Sequence, residues 1–389
     1  ARAPGSRVPV IADGRKQNPR TALSPPGHLI AAAFTGRHDM THGPLSAVLK
    51  GGLLALLAAT LFGLSTPFVQ RWGQGLGPFT TAGLLYGGAS LVSLFIRHPR
   101  EREAPLRLGD AGRLLGMALS GAVIGPVALA WGLQRTSGTS ASLTLSLEAF
   151  FTAFLAWRLY GETIDKRVVL AMASLLAGGM VLALEQGVQG RAQLFGLVAV
   201  MVATAAWGLD NSLSRGLADR DPGQVVLSKS CLGAVATFTL AWAFGEPLPG
   251  GWVACGLVGI GASGYGLSLR FYLLAQRSFG AARTGSVFAF APFIGALGAW
   301  GLGERGGSLL LVLGGTLMLA GVVLHLLESH EHEHAHEPIE HEHAHTHDDG
   351  HHDHRHEPMP QGAHSHRHAH AALVHTHPHV PDLHHGHKH

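Results

Sequence analysis

The chain has 389 residues, 47% of them hydrophobic and only 14% charged. The charge sits toward the ends: 19 Lys/Arg and 13 Asp/Glu fall between Met40 and Glu328, and 10 acids against 3 bases fall from Ser329 to His389. The overall basic balance describes no single region and gives no case for a nucleic-acid partner, and two cysteines, Cys231 and Cys255, make neither a disulfide framework nor a zinc site; both read as small core residues.

Residues 1–45 form a basic arm rich in Pro, Arg and small residues. No Met precedes Met40, which is an expected natural start, and the arm shows no secretory signal pattern. From Lys50 to Leu327 ten apolar segments follow, at roughly 50–70, 78–97, 112–132, 138–160, 167–185, 193–213, 223–244, 252–274, 281–302 and 308–327. Each is about the 20 residues that a helix needs to cross a bilayer core of ~30 Å. An all-α membrane protein with ten transmembrane helices is therefore expected, embedded in a lipid bilayer.

The segments repeat. Gln134-Arg135, Gly138, Gly161-Glu162 and Gly179 recur 142 residues later as Gln276-Arg277, Gly280, Gly303-Glu304 and Gly321. Phe62-Gly63-Leu64 aligns with Trp207-Gly208-Leu209. Internal repeats in a membrane protein point to a transporter. Two five-helix repeats are expected, over 46–186 and 187–328. With the N-terminus inside, twelve loop arginines and lysines fall on the cytoplasmic side against four outside, which places both termini in the cytoplasm. Five spans per repeat is an odd number, so the second repeat must lie inverted.

Ionisable residues inside spans are costly, at least ~2.5 kcal/mol on insertion scales, and so mark interior or wet positions. Glu148, in the fourth span, reads as a carboxylate that couples transport to a proton or cation, or as a structural partner of Lys229 or Arg270. Lys229 either binds an anionic substrate group or neutralises a carboxylate. Asp210-Asn211 is a polar lining or a helix-end hydrogen-bond set. Tyr265 is a further cavity residue, whereas Arg270 is expected to snorkel to the interface. Pro67, Pro126 and Pro292 lie within spans, where they open a helix toward a cavity or merely shape it. Gly83–Gly87 and Gly121–Gly125 have the spacing for close helix approach. Glu162 and Glu304 read as turn residues, His325 as structural, and Trp131, Trp157, Trp207, Trp242, Trp252 and Trp300 as belt or packing residues.

Several segments resemble one family. Ser146-Leu147-Glu148-Ala149-Phe150-Phe151-Thr152-Ala153-Phe154-Leu155-Ala156 with Gly161-Glu162 is similar to the fourth helix of EamA-like transporters, of the drug/metabolite transporter superfamily. Trp207-Gly208-Leu209-Asp210-Asn211, Gly264-Tyr265-Gly266-Leu267-Ser268, Gly280-Ala281-Ala282-Arg283-Thr284-Gly285 and Ala291-Pro292-Phe293-Ile294-Gly295 also resemble its signatures. The likeness covers about 45–328. It implies ten helices in two inverted five-helix repeats and secondary transport of a small solute. No catalytic constellation stands out in the sequence, so no enzyme and no required cofactor is expected. The first repeat departs from the family by having Ala149-Phe150 where the second keeps Pro292.

The tail, 329–389, carries 23 of the 28 histidines. His330, His332, His334 and His336 alternate at period two, as do His341, His343, His345 and His347, and His364, His366, His368 and His370. Large apolar residues are scarce, so the tail is expected to be disordered. Flexible His-x-His runs suit zinc, nickel or cobalt, and a pH-sensing role through imidazole protonation also stands. The expected function is alternating-access transport of a small metabolite or drug-like solute across a bacterial inner membrane, with a homodimer possible and divalent metal on the tail. The alternative is a nickel, cobalt or zinc transporter whose tail feeds or senses the cargo.

Overall fold

The computed structural model describes residues 44–96, 104–160, 166–217, 220–279, 281–326 and four short tail segments. Residues 1–43 of the basic arm lie outside them, as do Glu162 and residues 97–103.

The elements follow the apolar segments. They are α1 (Pro44–Trp72), α2 (Pro78–Phe95), α3 (Ala111–Met117), α4 (Gly125–Leu133), α5 (Gly138–Thr144), α6 (Leu147–Tyr160) and α7 (Lys166–Gln189). The second half holds α8 (Arg191–Ser214), α9 (Pro222–Ala243), α10 (Gly251–Ile260), α11 (Ser268–Phe279), α12 (Ala281–Phe288), α13 (Ala291–Gly301) and α14 (Leu309–Leu326). Among the described residues, nine continuous helical stretches are long and apolar enough to cross a membrane. The tenth expected span, α2, is an 18-residue helix. It is rich in Thr, Gly and Ser, and its middle is buried against other helices rather than against lipid.

Helix starts follow local chemistry. Pro78 and Pro222 open α2 and α9 at a position where the missing N–H is harmless. The Ser137 side chain accepts from the Ser140 N–H at 3.0 Å, and Asp221 accepts from the Gly223 N–H at 2.8 Å. Two spans pass through a π-helical stretch, Ala118–Ile124 between α3 and α4, and Gly261–Leu267 between α10 and α11. They lie at equivalent places in the two repeats.

Two other spans break in the middle. Between α5 and α6 the bonds shorten to i→i+3, with the Ser146 N–H donating to Leu143 O at 3.0 Å and the Glu148 N–H to Leu145 O at 3.0 Å. Between α12 and α13, the Phe290 N–H donates to Val287 O at 3.3 Å and the Phe293 N–H to Phe290 O at 3.0 Å. The second break is at Pro292, but the first forms without a proline. Ser and Thr can loosen a helix by bonding back to its carbonyls, and Thr144 donates to Ser140 O at 2.7 Å. The proline difference between the repeats therefore leaves their helix breaks alike.

The hydrogen bonds between helix ends define one face of the bundle, made by the ends of α1, α4, α7, α9 and α13 and the starts of α2, α5, α8 and α14. α1 ends on this face, whereas its repeat counterpart α8 begins on it, so the two halves are inverted. Two apolar clusters hold the bundle. One gathers Val69, Leu85, Leu129, Leu133, Val200 and Leu257; the other gathers Leu143, Leu175, Leu182, Leu197, Met318 and Val322. Large apolar side chains such as Leu53, Val235, Leu297 and Val312 are exposed around the outside, which suits a surface solvated by lipid tails.

Two expectations change, for the cysteines and the glycine pairs. Cys255 is exposed and Cys231 only half-buried; in a membrane protein an apolar run need not face inward. Gly83 and Gly87 face the Phe238 ring, Gly121 faces the Asp210 carboxylate and Gly125 the Trp207 indole. These glycines make room for side chains rather than for a neighbouring backbone. Trp207 is 6% exposed and fully inside the bundle, whereas Trp242 and Trp252 are 83% exposed, as belt residues are.

In the tail the described backbone is extended: β1 (Glu331–His336), β2 (Ile339–His345), β3 (His364–His370) and β4 (Leu373–Pro378). β1 pairs antiparallel with β4 and β2 with β3, with His334 opposite His375 and His343 opposite His366. The metal-ligand assignments fall on side chains outside those described.

Candidate functional site

Four of the expected site residues meet where α6 and α9 pack against the C-terminal part of α8. Lys229 of α9 forms an ion pair with Asp210 of α8, and both residues are 6% exposed. The Asn211 side-chain amide donates to Glu148 Oε1 at 2.7 Å. Glu148 is thus held by Asn211, and Lys229 is matched to the neighbouring Asp210 rather than to Glu148. Ion pairing in a low-dielectric interior is strong only when both partners are present, which fixes α8 against α9.

The helix break places Glu148 in the first turn of α6, where the positive end of the helix dipole favours a carboxylate. Glu148 is half-buried and Asn211, in the last turn of α8, is exposed. This pair is where the buried polar cluster reaches the surface.

The first π-helical stretch supplies the wall beside Asp210. The Tyr86 hydroxyl and the Trp207 Nε1–H, the latter at 3.0 Å, both donate to Gly121 O. A Cβ at Gly121 would overlap the Asp210 carboxylate, so glycine is required for this approach. Further rings complete the wall: Phe62 lies 6.0 Å from both Trp207 and Tyr265 between centroids, and Tyr86 lies 5.6 Å from Tyr265. Tyr265 is thereby part of the cluster. Pro292 is buried in the first turn of α13, and its neighbours Ala291 and Ile294 pack on Gly63; it shapes the break and does not line the charge cluster. Arg270 lines a separate shallow groove with Val92, Ser93, Asp221 and Pro222.

Sequence reasoning missed a second polar layer, at the face described above. The Glu304 carboxylate accepts from the Gly138 N–H at 2.8 Å, the Thr139 N–H at 2.9 Å and the Thr139 hydroxyl at 2.9 Å. Glu246 does the same for α2, accepting from the Phe79 N–H at 3.3 Å and the Thr80 N–H at 2.7 Å. Each carboxylate crosses from the second repeat to a helix start in the first, where unpaired N–H groups and the helix dipole attract negative charge. Glu304 is therefore more than a turn residue. Nearby, Thr136 donates to Gln186 Oε1 at 2.7 Å, Gln186 donates to Ser140 Oγ at 3.1 Å, and Gln134 donates to Leu76 O at 2.7 Å. The signal was the Gly-Glu pair after each fourth helix of a repeat; its partner lay 166 residues away and could not be read from spacing. On the opposite side, Arg220 Nε meets Asp110 Oδ2 at 2.8 Å, and the Asp221 N–H donates to Ala104 O at 2.8 Å.

Among the described residues no group of three or more His, Cys, Asp or Glu is placed to hold a metal ion.

The profile of the EamA-like transporter family matches residues 49–184 and again 194–327. An uncharacterized transporter of Methanothermobacter thermautotrophicus is 26% identical over 293 residues, which cover 70% of this chain and 85% of that protein. A probable amino-acid metabolite efflux pump of Escherichia coli K12 is 24% identical over 180 residues, covering 46% of this chain and 58% of that protein. One solved crystal structure superposes with a TM-score of 0.50 at 19% identity, covering 72% of this chain and 95% of its own, a likeness of fold alone. Two profile matches, one for each half of an inverted bundle, place the chain in the EamA-like transporter family, as a multi-pass membrane transporter.

Proposed function

We propose that the protein is a secondary active transporter that exports a small metabolite or drug-like solute across the bacterial inner membrane by alternating access. The observation that carries the reading is the buried pair Asp210–Lys229 joined to the accessible pair Glu148–Asn211, at the centre of two inverted halves. Charged side chains held there have no structural need that apolar residues could not meet. Polar contacts between the halves close the face with Glu246 and Glu304, while Asn211, toward the far end of α8, is exposed. Glu148 is the carboxylate that exchanges a proton or cation during the cycle. The efflux function named for the Escherichia coli relative supports the direction. Flux driven by a proton gradient in proteoliposomes is expected to fall to background in Glu148→Gln; undiminished flux would remove the coupling assignment.

The tail is proposed to bind divalent zinc, nickel or cobalt through its His-x-His runs, as a cytoplasmic buffer or sensor. A metal path through the bundle is the weaker reading, because among the described residues no three His, Cys, Asp or Glu side chains come together to hold an ion. Elemental mass spectrometry of cells carrying the full chain, a chain stopped after Glu328, and Glu148→Gln separates the two. Metal content that follows the tail alone marks a buffer, and content that follows Glu148 marks the cargo.

A further inference from the structure

Arg135 follows α4 at the face closed by Glu246 and Glu304, yet its side chain turns back along the helix rather than outward. The guanidinium carbon lies 3.7 Å over the Trp131 ring, and Nη1–H donates to Trp131 O at 2.9 Å. The carbonyl end of α4 favours a cation and accounts for this one donor. A guanidinium has five N–H groups. Among the described residues the other four meet no acceptor, and no acid pairs with the charge. Such a free fork of donors matches an anion with two oxygens to offer, as a phosphate has.

Trp131 and Arg135 line a groove of about 620 Å³, within the ~300–1,000 Å³ of sites that hold small molecules. Its other walls are apolar: Phe79 of α2, Val127 and Ala128 of α4, Ala199 of α8, and Ile124 just before α4. Polar groups beside it are spent. Gln134 donates to Leu76 O at 2.7 Å, and Glu246 accepts from the Phe79 and Thr80 N–H groups. Ile124 is exposed and Val127, Ala128 and Ala199 are half-buried, so the groove opens on the outside of the bundle, where lipid tails lie. Its length fits one leaflet. At about 1.5 Å per residue the helix from Ile124 to Arg135 covers ~17 Å, against ~15 Å for half a bilayer core.

We propose that this groove seats a membrane phospholipid, with its phosphate on the Arg135 guanidinium and an acyl chain along Val127, Ala128 and Ala199 to Ile124. A free phosphate would leave the apolar wall unused, and an uncharged lipid would leave the guanidinium unmatched. The walls come from α2 and α4 of the first repeat and α8 of the second, so the lipid bridges the two halves at the closed face. The proposal needs only that the bundle lies in a bilayer, and it stands apart from the choice of cargo.

Three ligands separate head from tail: phosphatidylglycerol, diacylglycerol with the same chains, and glycerol phosphate. The purified full chain, stripped of lipid in detergent, is titrated with each, and bound molecules are counted by native mass spectrometry. One phosphatidylglycerol is expected to bind about tenfold or more tightly than diacylglycerol, the worth of a hydrogen bond to a charged group. Glycerol phosphate should fail to displace it. Arg135→Met should lower the affinity for phosphatidylglycerol to that for diacylglycerol. Ala128→Phe fills the groove and leaves the charge, and should weaken both lipids. Should a variant not fold, the three ligands on the unaltered protein decide. The proposal is overturned if diacylglycerol binds as well as phosphatidylglycerol, or if the two folded variants hold phosphatidylglycerol as the parent does. Displacement of the lipid by an equal concentration of glycerol phosphate would also overturn it, because the site would then read a soluble anion.

Discussion

The two π-helical stretches carry the same backbone contact with different chemistry. In the first, Gly121 lets the Asp210 side chain of α8 press against the helix; in the second, Gly264 lets Ser65 of α1 do so. α8 and α1 are repeat counterparts, so one inverted contact is seen twice. Phe62 and Trp207, also counterparts, meet each other at the centre. Yet the first contact holds a carboxylate paired with Lys229, and the second holds a hydroxyl that donates to Phe62 O at 2.6 Å. The position in α2 that matches Lys229, counting from Pro78 and Pro222, is Leu85, which is fully buried. Repetition builds the scaffold, and departure from it places the charge.

Lys229→Met should have the largest effect. It strands Asp210 in the bundle, and removing one partner of a buried pair costs ~3–5 kcal/mol. A melting curve of the solubilised protein should show this loss, and adding Asp210→Asn should recover most of it. If the double variant is no better than the single, the pair is not what holds α8 to α9.

Ser65→Asp puts the charge of the first contact into the second. With Leu85 opposite rather than a lysine, a mid-span Asp costs ~2.5–3.5 kcal/mol on insertion scales. The yield of membrane-inserted protein should fall, and Leu85→Lys in the same chain should restore part of it. No recovery would mean that the halves are less equivalent than their backbones.

Glu304→Ala and Glu246→Ala remove the carboxylates from the starts of α5 and α2. Loss of a cap costs ~0.5–2 kcal/mol. Faster amide hydrogen exchange is expected at Gly138 and Thr139 in the first variant and at Phe79 and Thr80 in the second. Exchange unchanged at those amides would show that the carboxylates do not close this face. The smallest effect is expected for Tyr86→Phe, which removes one of two donors from Gly121 O, at ~0.5–1.5 kcal/mol. A larger loss would mark Trp207 as unable to hold the carbonyl alone.

Much of the fold was readable because lipid imposes it. A helix that must satisfy its own backbone in hydrocarbon leaves a run of about 20 apolar residues in the sequence. Such runs marked every expected span. The site was readable in part for the same reason: Glu148, Asp210 and Lys229 stood out because charge is rare in such runs. Pairing was not readable. Glu148 had Lys229 and Arg270 as expected partners, and only packing showed Asn211 beside it and Asp210 beside Lys229.

The sequence by itself determined the spans, the repeat, the inversion that an odd helix number forces, and which residues are too polar to face lipid. Tertiary structure alone decided what those residues touch. It brought Glu304 to the start of α5 and Trp207 and Tyr86 to one carbonyl, and it left one oxygen of Asp210 unmatched. Hydrophobic periodicity and composition are local and survive in one dimension. Hydrogen bonds and ion pairs between helices depend on distances of a few ångströms between residues up to 210 positions apart, and no local rule carries that information.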